Sequence, residues 1–385
     1  MRLSWTVLII CISLAACSDG AAGGDLDPPG SDASASTDQA APAPDVPPAT
    51  PDVPATPDVP ATPDVPATAT PDVPATPDAP ATPDLPATPD VPVAVVDPTV
   101  DGALAVSTTT MTVTGKGGAE FDADLYVPGG SGPFPAVVFV PGFQIGADAF
   151  PSVGKRLASH GFVVLIPTFG DSLFAPIGHS ALADHVVAFV DWMLARSTES
   201  GTPLFGKVDA THVAAGGHSR GGKAAILAAI RDPRILATFD LDPVDAVGGP
   251  LGGSPTPDNP SVTPELMAGL TIPAGFVGTD YGKGSPPFVP ACAPEADNYH
   301  QYFQNAASTE AFEYVLPKSG HNDFADTLPF AASLACQKGD DPAATRAFGL
   351  ATMVAFYQVF LRGDAAWRPW VDGVAVPAWV TFTAK

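Results

Sequence analysis

Basic residues are scarce in this chain, which carries 17 Lys and Arg against 41 Asp and Glu, a formal net charge of -24. Between residues 18 and 100 there is no Lys or Arg, while fourteen Asp fall there. From residue 101 onward 27 acidic residues still face 16 basic ones. A phosphate backbone needs a basic footprint, so nucleic acid is excluded as a partner. The negative surplus serves solubility and mutual repulsion. Also missing are a cluster of side chains at metal-ligand spacing and a glycine-rich phosphate loop opening a helix. No metal and no cofactor are therefore expected. The chain start has no long apolar span, because residues 3–14 are too few to cross a bilayer comfortably as a permanent helix.

Residues 18–100 lack the side chains that build a core. From Pro51 the chain repeats Pro-Asp-x-Pro-Ala-Thr, with six full copies starting at 51, 57, 63, 71, 77 and 83. Proline every third residue removes donors and fixes φ, so polyproline II is expected. Repeated Asp extends the segment further by self-repulsion. At ~3.1 Å per residue it reaches roughly 100 Å or more. The expected organisation is a leader at 1–17, a disordered Pro-rich linker at 18–100 and a folded domain at 101–385.

The leader has the layout of a secretory signal: Arg2 first, then the apolar run, then small residues. Its end, Leu14-Ala15-Ala16-Cys17, resembles the lipobox of bacterial lipoproteins. That resemblance implies cleavage before Cys17, lipid on its sulfur and an extracytoplasmic protein anchored to the bacterial envelope. Ser18 after the cysteine, rather than Asp, resembles sorting to the outer membrane. Of four cysteines, Cys11 would leave with the signal and Cys17 would carry lipid. Cys292 and Cys336 remain, and an oxidising compartment favours a disulfide between them over two free thiols.

The folded region alternates strand and helix. Residues 108–113, 121–127, 134–140, 161–166, 213–216, 237–241, 272–277 and 312–316 read as strands, and 153–159, 181–195, 223–230 and 347–361 as helices. Alternation of this kind predicts an α/β fold: a mostly parallel sheet with helices on both faces. The short apolar strand at 213–216 runs into Gly217-His218-Ser219-Arg220-Gly221, and a small-residue helix follows. This strand–turn–helix around G-x-S-x-G is the nucleophile elbow of α/β-hydrolases, where a tight turn exposes the serine Oγ.

A serine hydroxyl needs a base. Only His300 and His321 follow Ser219, and His321 sits in the loop after the last predicted strand, where such folds place it. His218, inside the elbow, reads as a packing residue. Two acids suit the orienting role: Asp242, after the 237–241 strand, and Asp280, after the 272–277 strand. The oxyanion donors are expected to be the N–H groups of Arg220 and of Phe143, in the Pro141-Gly142-Phe143-Gln144 loop.

Gly217-His-Ser-Arg-Gly-Gly-Lys223 resembles the elbow of chlorophyllases, and so in order do Leu241-Asp-Pro-Val-Asp245, Pro290-Ala-Cys-Ala-Pro294, Asn298-Tyr-His-Gln-Tyr-Phe303 and Gly320-His321. The resemblance spans roughly residues 120–362 and implies an esterase whose acid is Asp242. Pro141-Gly142-Phe143 and the 157–164 stretch instead resemble bacterial cutinases and polyester hydrolases, whose acid follows the later strand and would be Asp280. A serine carboxylic-ester hydrolase acting on a hydrophobic ester, as a monomer, is the leading expectation. A polyester or lipid hydrolase is the second, and a non-catalytic surface-tethered binding lipoprotein the third. The aromatic tail 367–379 is expected either to pack on the domain or to form a contact surface.

Overall fold

The computed structural model describes residues 96–172, 175–247, 253–284 and 291–385. The leader with Cys17, the repeats and the apolar Pro286-Pro-Phe-Val289 stretch lie outside the described residues.

Packing reaches back to Val96, which lies against the core, and the Arg156 guanidinium binds the Pro98 carbonyl (2.9 Å) and the Asp101 carboxylate (2.7 Å). Nine strands then form one sheet: β1 (Val106–Thr114), β2 (Glu120–Pro128), β3 (Phe134–Val140), β4 (Val163–Thr168), β5 (Val208–His218), β6 (Ile235–Leu241), β7 (Ala274–Thr279), β8 (Ala311–Leu316) and β9 (Thr381–Ala384). Their spatial order is β1-β2-β4-β3-β5-β6-β7-β8-β9. The six strands from β4 to β8 in that order run parallel. The two flanks close antiparallel, β1 and β2 at one side and β9 on β8 at the other.

Helices cover both faces because parallel strands need crossovers, and crossovers bury the sheet on both sides. On one face lie α2 (His179–Thr198), α3 (Arg220–Arg231) and α4 (Tyr299–Asn305). The other carries α1 (Pro151–Ser159), α6 (Pro342–Arg362) and α7 (Arg368–Val371). The short α5 (Phe330–Ala335) sits between β8 and α6 in the chain. In β3 the alternation is explicit: Ala136, Val138 and Val140 enter the first core, while Val137 and Phe139 enter the second. Helix α6 is long and apolar enough to cross a membrane, yet Phe348, Met353, Val354, Phe356 and Tyr357 are buried in the core.

Besides the short helices α4, α5 and α7, two strands differ from the reading of the sequence. Strand β5 starts five residues earlier, at Val208, because its first half carries Asp209, Thr211 and His212 and no apolar run marks it. The tail packs rather than projects: Trp367 is buried, and beyond it β9 pairs with β8 from Phe312↔Ala384 to Val315↔Thr381. The parallel strands all deliver their C-terminal ends to one edge of the sheet, and the loops there build the site.

Candidate active site

One residue, Ser219, separates β5 from α3. Its φ of 57° and ψ of -127° are unfavourable for any residue with a Cβ, so the surroundings must impose them. They do so through the main chain. The Ser219 N–H donates to the Leu241 carbonyl (3.0 Å), and its own carbonyl accepts from Gly222 (3.0 Å) and Val244 (3.3 Å). The flanking glycines are a steric necessity. A Cβ on Gly221 would lie 2.0 Å from the Val140 carbonyl oxygen, and one on Gly217 would lie 2.5 Å from the Gly221 carbonyl carbon.

His321, in the loop after β8, places Nε2 2.9 Å from Ser219 Oγ. Its Nδ1 is 2.8 Å from Asp242 Oδ2. Asp242 follows β6 with φ 45° and has no exposed surface. Thr279, at the end of β7, donates its hydroxyl to Oδ2 (2.6 Å) and its N–H to Oδ1 (3.2 Å). The structure thus brings Ser219, His321 and Asp242 into one hydrogen-bonded line. Asp280 is not part of it. Successive side chains at a strand end point opposite ways, so Thr279 faces in and Asp280 faces out. There its carboxylate is 43% exposed and pairs with Lys283 at 3.1 Å. His300 is elsewhere too, on α4, with Nδ1 2.7 Å from Glu313.

Three supports of this line were not foreseen from the sequence. His218 is more than packing: its Nε2–H donates to the His321 carbonyl (2.8 Å) and its ring lies tilted against the His321 ring, centroids 4.8 Å apart. Complete burial, and then the nearby charge of His321, push its pKa down to about 3, so the ring is neutral. Asp323 accepts from the N–H groups of Gly320 (2.7 Å) and Gly339 (2.9 Å), which closes the His321 turn. Lys223 is fully buried and binds Asp245 (2.9 Å) and the Ala246 carbonyl (2.9 Å), fastening the segment after Asp242 to α3. Burial lowers the Lys223 pKa, and the Asp245 carboxylate works against that. Asp245 in turn accepts from Val262 (3.0 Å), Thr263 (2.8 Å) and Ser261 (3.1 Å). The sequence signal for all three was proximity to the line itself, since each lies within four residues of one of its members.

Arg220 begins α3, where main-chain N–H groups have no intrahelical partner. The loop after β3 faces this turn closely, for a Cβ on Gly142 would lie 3.2 Å from the Ser219 Cβ. Phe143 is the next residue in that loop. Cys292 and Cys336 form a disulfide across 44 residues, joining the chain after β7 to the chain after α5. A half-buried hydroxyl, a base and a buried orienting acid, beside a helix start, can carry out acyl transfer.

A protein-family model described as Chlorophyllase matches residues 89–370. Chlorophyllase-1, chloroplastic, of Citrus sinensis is 27% identical over 250 residues, covering 63% of this chain and 73% of that protein. Chlorophyllase-1 of Arabidopsis thaliana is 29% identical over 249 residues, 61% of this chain and 75% of its own. A bis(hydroxyethyl) terephthalate hydrolase of Streptomyces coelicolor is 26% identical over 213 residues, 54% and 63% respectively.

Asp242→Asn is expected to lower kcat by roughly a thousand- to ten-thousand-fold, the scale seen when a triad acid is replaced. Asp280→Asn should stay within about two-fold, and steady-state kinetics on one soluble ester would reverse the assignment if the two effects were exchanged. A second expectation concerns pH. His218 and His179 both have pKa values pushed from 6.5 to about 3, chiefly by burial. The unfolded chain therefore binds protons that the folded one refuses. Stability should fall as pH drops from 6.5 toward 3, and His218→Asn should flatten that slope in urea titrations. An unchanged slope would remove His218 from the account.

Proposed function

The chain belongs to the chlorophyllase family and is a carboxylic ester hydrolase of the α/β-hydrolase fold, and from that premise we propose that it cleaves a hydrophobic ester through an acyl-enzyme on Ser219. His321 takes the Ser219 proton as Oγ attacks the ester carbonyl, and Asp242 orients and stabilises the imidazolium that forms. The N–H groups of Phe143 and Arg220 receive the oxyanion. His321 then returns the proton to the leaving alcohol, and water, activated by the same imidazole, releases the acid.

The observation that carries this reading is the line from Asp242 through His321 to Ser219, at 2.8 and 2.9 Å. Its acid follows β6, which favours a chlorophyllase-like arrangement over the cutinase-like one that Asp280 would have served. A hydrophobic ester fits the relatives, whose names include chlorophyllase and bis(hydroxyethyl) terephthalate hydrolase. The chain without residues 1–95, assayed on short and long p-nitrophenyl esters, is expected to turn over both and to favour the longer acyl chain. Ser219→Ala should be inert. Equal activity of mutant and wild type, or no reaction of wild type with a fluorophosphonate probe, would leave a binding lipoprotein as the surviving account. Activity confined to polyester films would favour the polymer reading.

We further propose that the enzyme works as a monomer, tethered outside the cytoplasm by lipid on Cys17 and spaced from the membrane by residues 18–95. The Leu-Ala-Ala-Cys sequence and a disulfide suited to an oxidising compartment support the tether. Metabolic labelling with a radioactive fatty acid should mark the full chain, and Cys17→Ser should abolish the label; a labelled mutant rejects the tether.

A further inference from the structure

The residue after the nucleophile is asked only for a main-chain N–H, which almost any amino acid supplies. Here it is an arginine whose side chain is 11% exposed and faces an Asp171 carboxylate that is 2% exposed. The two meet fork to fork: Nη2 contacts Oδ2, and Nη1 lies 3.4 Å from Oδ1. The same Nη1 is 3.4 Å from the Ile177 carbonyl, while the Ile177 N–H donates to Asp171 Oδ1 at 2.9 Å. On another side the guanidinium carbon lies 4.9 Å from the centre of the Phe143 ring. One cation therefore ties together three segments: the start of α3, the loop after β3 and the loop between β4 and α2.

Burying an ion pair costs desolvation that its attraction repays only in good geometry, so it is a weak source of stability. Its location is informative instead. Phe143 and Arg220 are the two residues whose N–H groups would meet the oxyanion, and donors of this kind work by being in place before charge develops. The Phe143 N–H belongs to a loop that leaves β3 through Pro141-Gly142 and passes Gln144 at φ 56°. A planar guanidinium against the Phe143 ring, itself fixed by Asp171, gives that loop an abutment.

We propose that Arg220 and Asp171 are positioning residues: their ion pair, with the Phe143 ring laid against it, sets the spacing between the two oxyanion donors. This rests on the serine-esterase reading above. The ion pair touches neither Ser219 Oγ nor the imidazole, so it acts on the transition state and leaves ground-state binding alone.

The test compares wild type, Asp171→Asn, Arg220→Lys and Arg220→Ala on a short p-nitrophenyl ester. Affinity is measured in parallel for an alkyl boronic acid, which forms a tetrahedral adduct on the serine. In Asp171→Asn and Arg220→Ala, kcat should fall roughly ten- to a hundred-fold with KM within about two-fold, the scale of a displaced donor. Boronate affinity should fall in step with kcat. Arg220→Lys keeps the charge but loses the fork and should stay low, whereas added guanidinium ion should restore part of the Arg220→Ala rate. Unchanged kcat in Asp171→Asn, a rise in KM in place of a fall in kcat, or boronate affinity that does not follow kcat would each overturn the proposal. Asp171→Asn is isosteric, so it decides the matter if Arg220→Ala does not fold. Wild type that neither hydrolyses the ester nor takes a fluorophosphonate label fails the esterase reading itself, and the clamp falls with it.

Discussion

A carboxylate without exposed surface must be surrounded by donors or it destabilises the fold that buries it. Asp242 is in that position, and its donors come from two other places in the chain, Thr279 at the end of β7 and His321 beyond β8. Satisfying one side chain therefore draws three adjacent strand ends to a single point. The imidazole that arrives to satisfy Asp242 has its other nitrogen against Ser219. The site is in this sense the solution to a burial problem, and the sheet order β5-β6-β7-β8 makes the solution reachable.

The elbow heptapeptide shows how closely the supports are packed around it. Gly217 and Gly221 let the turn pass its neighbours. His218 holds the main chain of His321 from below. Lys223 reaches through the core to the segment after Asp242. Residues three or four apart on a helix share a face, and adjacent ones diverge. A single turn of chain thereby contacts the base loop, the acid loop and the loop after β3 at once.

Most of the architecture was legible in the sequence, for a definite reason. Apolar runs such as 134–140 and 161–166 have both faces buried, and they are too short for a buried helix. The first half of β5 and all of β9 were not legible. Asp209, Thr211 and His212 interrupt the one, and Thr-Phe-Thr-Ala offers a single apolar side chain in the other. Ser219 and His321 stood out by motif and chain order. The choice between Asp242 and Asp280 did not, since each lies in the loop directly after a strand. Side-chain direction at the strand end separates them, and that depends on register between distant segments. Where spacing was silent, the resemblance to chlorophyllases named Asp242, the carboxylate that lies 2.8 Å from His321 Nδ1.

The Cys292–Cys336 bridge joins the chain that follows β7 to the chain that follows α5, on either side of the His321 loop. Its partners lie 44 residues apart in sequence, and Cys292 Sγ also lies 3.4 Å from the Ala335 carbonyl. Reducing the bridge removes a covalent tie between the segments that flank the His321 turn.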